Sequence, residues 1–307
     1  VSPTTNYCKF YILFVGGIIL VVLDKDKGIV KLYVDMQMPI SKIEEVYGIC
    51  RPYIKSVLDK NDIKISPLNT CRKYGYENKK KQFTFNEHFF DEIDTEEKAY
   101  IFGFFLADGS NVIKQRSVCM SLQSEDKYIL ERISNILDSD RPIRHINPPK
   151  RFPHRKHQDM IILRSMYFSK KLESLGMCRM KSYLLKFPSF IPDNLMNHFV
   201  RGYFDGDGSI YYSKNGNGYR YGFNFVGTED FIIGLMATLM KSCGFSEVKI
   251  HTRFPERHNS TRYITYNGRL QAIKFGEWIY KDATIYLKRK LDKFPPEVKH
   301  LTGLTTQ

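Results

Sequence analysis

Two near-copies of one motif, ninety-nine residues apart, constrain this 307-residue chain more than any other feature. The first ends Gly103-Phe104-Phe105-Leu106-Ala107-Asp108-Gly109, and the second ends Gly202-Tyr203-Phe204-Asp205-Gly206-Asp207-Gly208. Each reads as an apolar helix with small residues four apart, Gly103 with Ala107 and Gly202 with Gly206. Positions i and i+4 share a helical face, so each small pair opens a groove where another helix can approach closely. Gly109 and Gly208 stand where the helices stop, a place that favours glycine because it enters the left-handed conformation at little cost. The acid before each glycine is the unexpected part. A carboxylate at a helix C-terminus faces the negative end of the macrodipole and costs up to about 1 kcal/mol. Two such helices packed together would hold Asp108 and Asp207 close, and a divalent cation is the simplest compensation for their repulsion.

A hydrophobic fraction of 42% with 14% aromatics supports a packed core and excludes a disordered chain. The net charge of +14 favours a polyanionic partner, nucleic acid before membrane. Six cysteines are scattered without a C-x-x-C pair, which argues against a zinc ribbon and a disulfide framework. Reduced thiols fit an intracellular protein, in cytoplasm or organelle matrix. Phe10 to Leu23 is an unbroken apolar run. As a helix it would cover roughly 21 Å, short of the roughly 30 Å hydrocarbon core, and its flanks do not suit a signal peptide. Residues 1–27 therefore read as an appendage of uncertain status, and membrane association is not expected.

Residues 28–65 read as a separate helical unit. Ile29, Val30, Leu32 and Tyr33 give a short apolar face, and Ser41-Lys42-Ile43-Glu44 matches a capping box. The helix it opens should stop near Gly48, and a second should start around Arg51-Pro52. Two short helices joined at a glycine fit a helix-turn-helix with Arg51 and Lys55 toward DNA; a plain helical hairpin fits as well. Residues 66–93, with Lys79-Lys80-Lys81, read as a linker that either tracks a DNA backbone or is a solvated tether.

From Asp94 onward the chain repeats itself. Extended segments are expected at Ser117–Leu122, Ile143–Ile146 and Met160–Leu163 in one half, and at Tyr219–Val226, Glu247–His251 and Arg262–Tyr266 in the other. Ser124-Glu125-Asp126 and Thr228-Glu229-Asp230 open matching helices. Residues 94–190 and 191–295 thus form two related halves, followed by a tail at 296–307. Cations gather in the expected loops. Residues 141–158 carry Arg144, Lys150, Arg151, Arg155 and Lys156 and no acid; Lys214 to Arg220 occupies a Gly/Asn-rich hairpin loop; Arg253, Arg257 and Arg262 flank another. His154 and His157 lack a partner at metal-ligand spacing and read as DNA-contacting or solvated.

Ile101 to Gly109 and Val200 to Gly208 resemble the nine-residue signature of LAGLIDADG homing endonucleases. The first copy departs from it at Leu106, where an acid is common. The resemblance spans residues 94–295. It implies an α/β (α+β) fold of two pseudo-symmetric αββαββα repeats, their motif helices forming the interface through Gly103, Ala107, Gly202 and Gly206. Two four-stranded sheets would make a DNA-binding saddle. It further implies that Asp108 and Asp207 bind Mg²⁺ beside Gly109 and Gly208, with Mn²⁺ as a substitute. Lys181 and Lys290 match the family's central lysine by position, although they lie 73 and 83 residues after their motif acids. Lys114, Arg116, Arg144, Lys150, Arg151, Arg155, Lys156, Lys214, Arg220, Arg253, Arg257 and Arg262 would contact DNA. The implied protein is a monomer without a small-molecule cofactor that cuts both strands of a long pseudo-palindromic target. A catalytically inactive DNA-binding regulator and an RNA-splicing maturase are the other functions open to this scaffold.

Overall fold

The structure is a computed structural model. It describes residues 24–65, 83–178, 181–216, 218–253 and 261–300, and the backbone of two further strands near the N-terminus. Within the apolar run, Tyr11–Val15 (β1) and Ile18–Val22 (β2) are strands that pair antiparallel, and not helical turns. The chain divides into two compact units, residues 1–82 and 83–307.

In the first unit Lys25–Val34 (α1) is capped by Asp24, whose side chain accepts from the Asp26 amide at 2.9 Å. Lys25 to Lys27 therefore belong to this helical unit and not to the appendage. Ile40–Tyr47 (α2) starts one residue before Ser41, with Pro39 at the N-cap and no side-chain cap. The expected capping box does not form, because Ser41 already lies inside the helix; Glu44 pairs with Arg51 at 3.3 Å. Gly48 ends α2 in the left-handed region at φ 64°, and Arg51–Lys60 (α3) follows with Pro52 in its first turn. Ile29, Leu32, Ile43, Ile54, Val57 and Leu58 close a small core of their own.

The second unit begins inside the segment expected to be a linker. Phe89 and Phe90 are buried in its core, and the Thr84 amide donates to Asp140 Oδ1 at 2.6 Å. Aromatic burial outweighs the low periodicity of the stretch; residues 66–82 lie outside the described residues. The first half then runs Glu96–Asp108 (α4), Ser110–Val112 (β3), Ser117–Gln123 (β4), Lys127–Ile136 (α5), Arg144–Ile146 (β5), Gln158–Arg164 (β6) and Met166–Ser174 (α6). Lys181–Leu184 (α7) leads to the second half: Met196–Asp207 (α8), Gly208–Asn215 (β7), Gly218–Gly227 (β8), Glu229–Cys243 (α9), His251–Thr252 (β9), Arg262–Asn267 (β10) and Arg269–Tyr280 (α10). Lys288–Leu291 (α11) and Pro296–Lys299 (α12) close the unit. The expected tail is thus partly structural, since Val298 is buried.

Each half is αββαββα with an antiparallel sheet, in the orders β3-β4-β6-β5 and β7-β8-β10-β9. Alternation decides which side chains meet the core. Val118, Met120 and Leu122 of β4 and Ile161 and Leu163 of β6 are buried, so Cys119, Ser121, Ile162 and Arg164 point to the opposite, open face. In the second sheet Phe223, Phe225 and Ile264 are buried, while Asn224, Thr265 and Ser209 take the open face. Of the extended segment expected at Glu247–His251, only its end joins the sheet, in the two-residue β9.

Candidate active site between the motif helices

The motif helices meet through their glycines, and the contact reads the same from either side. Gly103 lies against the Phe199 carbonyl and Tyr203 amide, and Gly202 against the Tyr100 carbonyl and Phe104 amide. A β-carbon on Gly103 would sit 2.9 Å from Tyr203 N, and one on Gly202 3.0 Å from Phe104 N. Farther along the same face Ala107 packs on Gly206. All four interface residues expected from the sequence therefore lie in this contact.

That approach carries the motif acids to a common point. The Asp108 carboxylate lies against Gly206, the residue before Asp207; a β-carbon there would be 3.3 Å from Asp108 Oδ2. Both acids are open to solvent at residue level yet walled in by packed protein. Burial and then the Asp207 charge push the Asp108 carboxyl up to about 6, and burial raises Asp207 as well. Gly109 and Gly208 are not left-handed: their φ values are −72° and −84°, with extended ψ. Space, not φ, requires glycine here. A β-carbon on Gly109 would lie 2.6 Å from Met177 Cε, and one on Gly208 2.7 Å from the Phe204 carbonyl oxygen.

The lysine missing from each helix end arrives from elsewhere in the chain. Lys181 Nζ donates to the carbonyls of Phe105 at 3.2 Å, Leu106 at 2.8 Å, and Ala107. Lys290 Nζ donates to the carbonyls of Phe204, Gly206 at 3.4 Å and Gly208 at 2.7 Å. The two lysines thus occupy matching places despite their unequal sequence separations. Each ammonium satisfies orphan carbonyls of a last turn and opposes its dipole. Burial pulls both lysines down to about 8, against the opposing pull of neighbouring acids. The sequence carries no signal for this capping beyond the lysines' order in each half.

A polar cluster whose partners carry no signal in the sequence lies beneath the second motif. Arg201 is fully buried and donates to the Ile285 carbonyl at 3.0 Å, the Ile279 carbonyl at 2.7 Å, His198 Nδ1 at 2.7 Å and Glu96 Oε1 at 2.6 Å. Asp205, also fully buried, accepts from Tyr100 Oη and from the Leu287 amide, each at 2.8 Å. At the corresponding positions the first half carries Phe102 and Leu106, both buried.

The expected DNA-contacting cations separate by face. Arg144, opposite Met160, and Arg220, opposite Ser213, share the open faces, and Arg253 lines a pocket there with Asp207, Ser209 and Asn224. Arg164, opposite Ser117, joins them although it is not among the cations expected from the sequence; alternation along β6 is the signal that finds it. Lys214 and Arg220 are strand residues, not loop residues, because β7 and β8 continue to within two residues of each other. Lys214 faces with Tyr219 and Tyr221 on the helix side. Arg262 also turns to the helix side, paired with Glu229 at 3.1 Å. Lys114, Arg116 and Lys150 are exposed, and Arg151 and Arg155 stack on the Phe152 ring, at 5.5 and 4.5 Å. Lys156 pairs with Glu125 at 3.0 Å. Arg51 and Lys55 are exposed on α3, and Arg257 lies outside the described residues. His154 is exposed. His157 Nδ1 meets His145 Nε2 at 3.1 Å, and His145 Nδ1 meets Asp159 Oδ1 at 3.1 Å. A 3.1 Å separation of the His145 and His157 nitrogens is a hydrogen-bond distance and is too short for a metal to sit between them.

A duplicated αββαββα unit, joined by reciprocal glycine contacts with an acid at each helix end, is the LAGLIDADG fold, as the motif resemblance implies. No protein-family model matches the sequence, and no curated protein does. Among solved structures, the LAGLIDADG meganuclease I-AabMI bound to uncleaved DNA is similar at 12% identity and a TM-score of 0.41, over 67% of this chain and 90% of that one. The N-terminal LAGLIDADG domain of DUF199/WhiA is similar at 19% identity and a TM-score of 0.38, over 67% and 92%. The homing endonuclease I-GzeII in complex with its DNA target is similar at 12% identity and a TM-score of 0.39, over 63% and 86%.

Proposed function

We propose that this protein is a site-specific double-strand DNA endonuclease of the homing type, encoded by a mobile element, whose N-terminal helices extend its contact with the target. The observation that carries the reading is the pair Asp108 and Asp207, brought together at two helix ends, each end backed by a lysine, half-buried Lys181 and buried Lys290. Stability alone gives no reason to gather two acids there.

The donor set fits a hard divalent cation. It offers carboxylate and carbonyl oxygens, and among the described residues no group of three or more His, Cys, Asp and Glu forms a closed metal cage. Mg²⁺ is commonly held by one or two carboxylates together with substrate phosphates. Asp108 and Asp207 would hold it, with the Gly109 and Gly208 backbone alongside; the Gly208 carbonyl already accepts from Lys290 at 2.7 Å. When bound, Mg²⁺ or Mn²⁺ supplies a Lewis acid and a water of lowered pKa. The chain's own residues do the remainder. Lys181 and Lys290, still charged at neutral pH, set positive charge beside each acid, where negative charge develops as a phosphodiester is attacked. The open faces carry Arg144, Arg164, Arg220 and Arg253 for phosphates and base edges. Two acids and two lysines match the two strands of a pseudo-palindromic duplex bound by a monomer.

Magnesium-dependent cleavage of a randomised duplex library tests the reading. Asp108→Asn and Asp207→Asn should each lower double-strand cutting by on the order of a thousandfold while salt-sensitive binding persists. If both variants cut like the parent, the site assignment is wrong. A regulator would bind duplex without cutting, and a maturase would keep its RNA activity in both variants.

A further inference from the structure

We propose that Asp205 is a positioning residue that holds Lys290 at the end of the second motif helix, a device absent from the first half. The proposal rests on the nuclease reading for its consequence and on geometry for its substance.

Asp205 sits in α8, two residues before Asp207. Its Oδ2 accepts from the Leu287 amide at 2.8 Å and from Tyr100 Oη at 2.8 Å. Leu287 is the N-cap residue of α11, and Lys290 lies three residues on, within that single turn. The bond therefore ties the start of the lysine's own helix to the helix whose carbonyls the lysine serves. Other bonds tether the strap before it and the turn itself. Glu96 Oε1 accepts from the Thr284 amide at 2.6 Å, Arg201 donates to the Ile285 carbonyl at 3.0 Å, and the Lys288 amide donates to Tyr128 Oη at 2.7 Å. Arg289 pairs with Asp126 at 2.7 Å. Of these, the Asp205 bond is the one made by α8 at the turn that carries Lys290.

Folding does not call for an acid at this register. The first half fills it with Leu106, buried at 1% exposure in the same helix-to-helix packing. Asp205 is less comfortable: its Oδ1 is buried and no protein group hydrogen-bonds to it. A half-satisfied buried acid where leucine packs well is a local cost of the kind that functional positions retain. Lys181 reaches its carbonyls from α7, and Leu106, at the matching place in α4, has no polar side-chain atom with which to anchor that turn. The structure therefore assigns unequal support to the two strands' chemistry.

The test uses the full-length protein with Asp205→Leu, which copies the first half's residue, and Asp205→Asn, which keeps one oxygen for both donors. In Asp205→Leu, amide hydrogen exchange across residues 284–291 should speed up by about tenfold or more, with residues 178–185 unchanged. Nick-resolved cleavage of the target should slow for one strand by about tenfold relative to the other, at unchanged KM for DNA. Asp205→Asn should restore both readouts to within about threefold of the parent, which a residue needed merely for folding through its charge would not do. Parental exchange and a parental strand ratio in Asp205→Leu overturn the proposal, as does Asp205→Asn failing as badly as Asp205→Leu. Should the parent nick neither strand, the nuclease reading falls, and the exchange measurement still decides whether Asp205 anchors this turn.

Discussion

At the scale of single residues, the chain keeps several charges where water is scarce, and each has a stated partner. His198 is the clearest case for titration. It is 6% exposed and accepts from the Arg201 guanidinium at Nδ1, so the ring must stay neutral to make that bond. Burial, and then the Arg201 charge, push it down to about 4. The unfolded chain would hold its proton up to about pH 6.5. Between those limits the unfolded state binds more protons than the folded one, so stability rises with pH there. The contribution is complete above about pH 6.5 and drains as pH falls toward 4, by on the order of 2 kcal/mol. Urea unfolding of parent and His198→Asn at pH 7 and pH 4.5 measures it. Asparagine offers an acceptor near the Nδ1 position and does not titrate, so the variant should lose about 2 kcal/mol less than the parent on acidification. Equal losses would show that His198 is not the titrating group. Asp108, raised by burial, works in the opposite direction, which is why the difference between the two proteins is the quantity to read.

Among the elements, the motif-helix pair decides where the site forms. Gly202→Ala would gain up to about 1 kcal/mol of helix propensity. Against that, its β-carbon would overlap the Tyr100 carbonyl, and backbone cannot swing aside as a side chain can. Overpacking of this kind costs about 1–3 kcal/mol, so a net loss of about 2 kcal/mol is expected, with an unchanged denaturant slope. Cleavage should fall further than stability, because the acids part as the helices do. A variant as stable as the parent would mean that the helices are not held at this distance by their glycines. This contact was legible in the sequence because small residues four apart on an apolar helix have few other uses. So were the seven-element order of each half and both lysines. Asp205 stands at the motif position where an acid is common, but neither its partners nor those of Arg201 were legible, since a buried acid and a buried arginine inside an apolar helix resemble any interruption of its pattern. Their meaning depends on the strap at 282–287, which returns from about eighty residues downstream. Lys214, expected in a loop, lies in β7, and the face that it and Arg262 take was not legible because a register shift of one residue moves a side chain to the other face of a sheet.

For the whole molecule, two separate cores matter more than any single contact. Residues 29–63 close one cluster and residues 85–298 the other, with no shared member. No helix among the described residues is long and apolar enough to cross a membrane. A fragment of residues 83–307 should therefore unfold cooperatively, with a thermal midpoint within about 5 °C of the same transition in the full chain. If the N-terminal helices add contacts to the target, that fragment should retain central cleavage but bind its duplex at least about tenfold more weakly, with a shallower dependence on salt. Every phosphate left without its cation reduces the slope of log K against log salt by about 0.9. Replacing Arg51 and Lys55 with alanine in the full chain should reproduce up to two such steps without touching the midpoint. Mobility-shift titrations at several salt concentrations, run beside a melt of each protein, separate the two effects. A fragment that binds with the parental slope would remove the first unit from the DNA interface and leave its helices as a plain packed bundle.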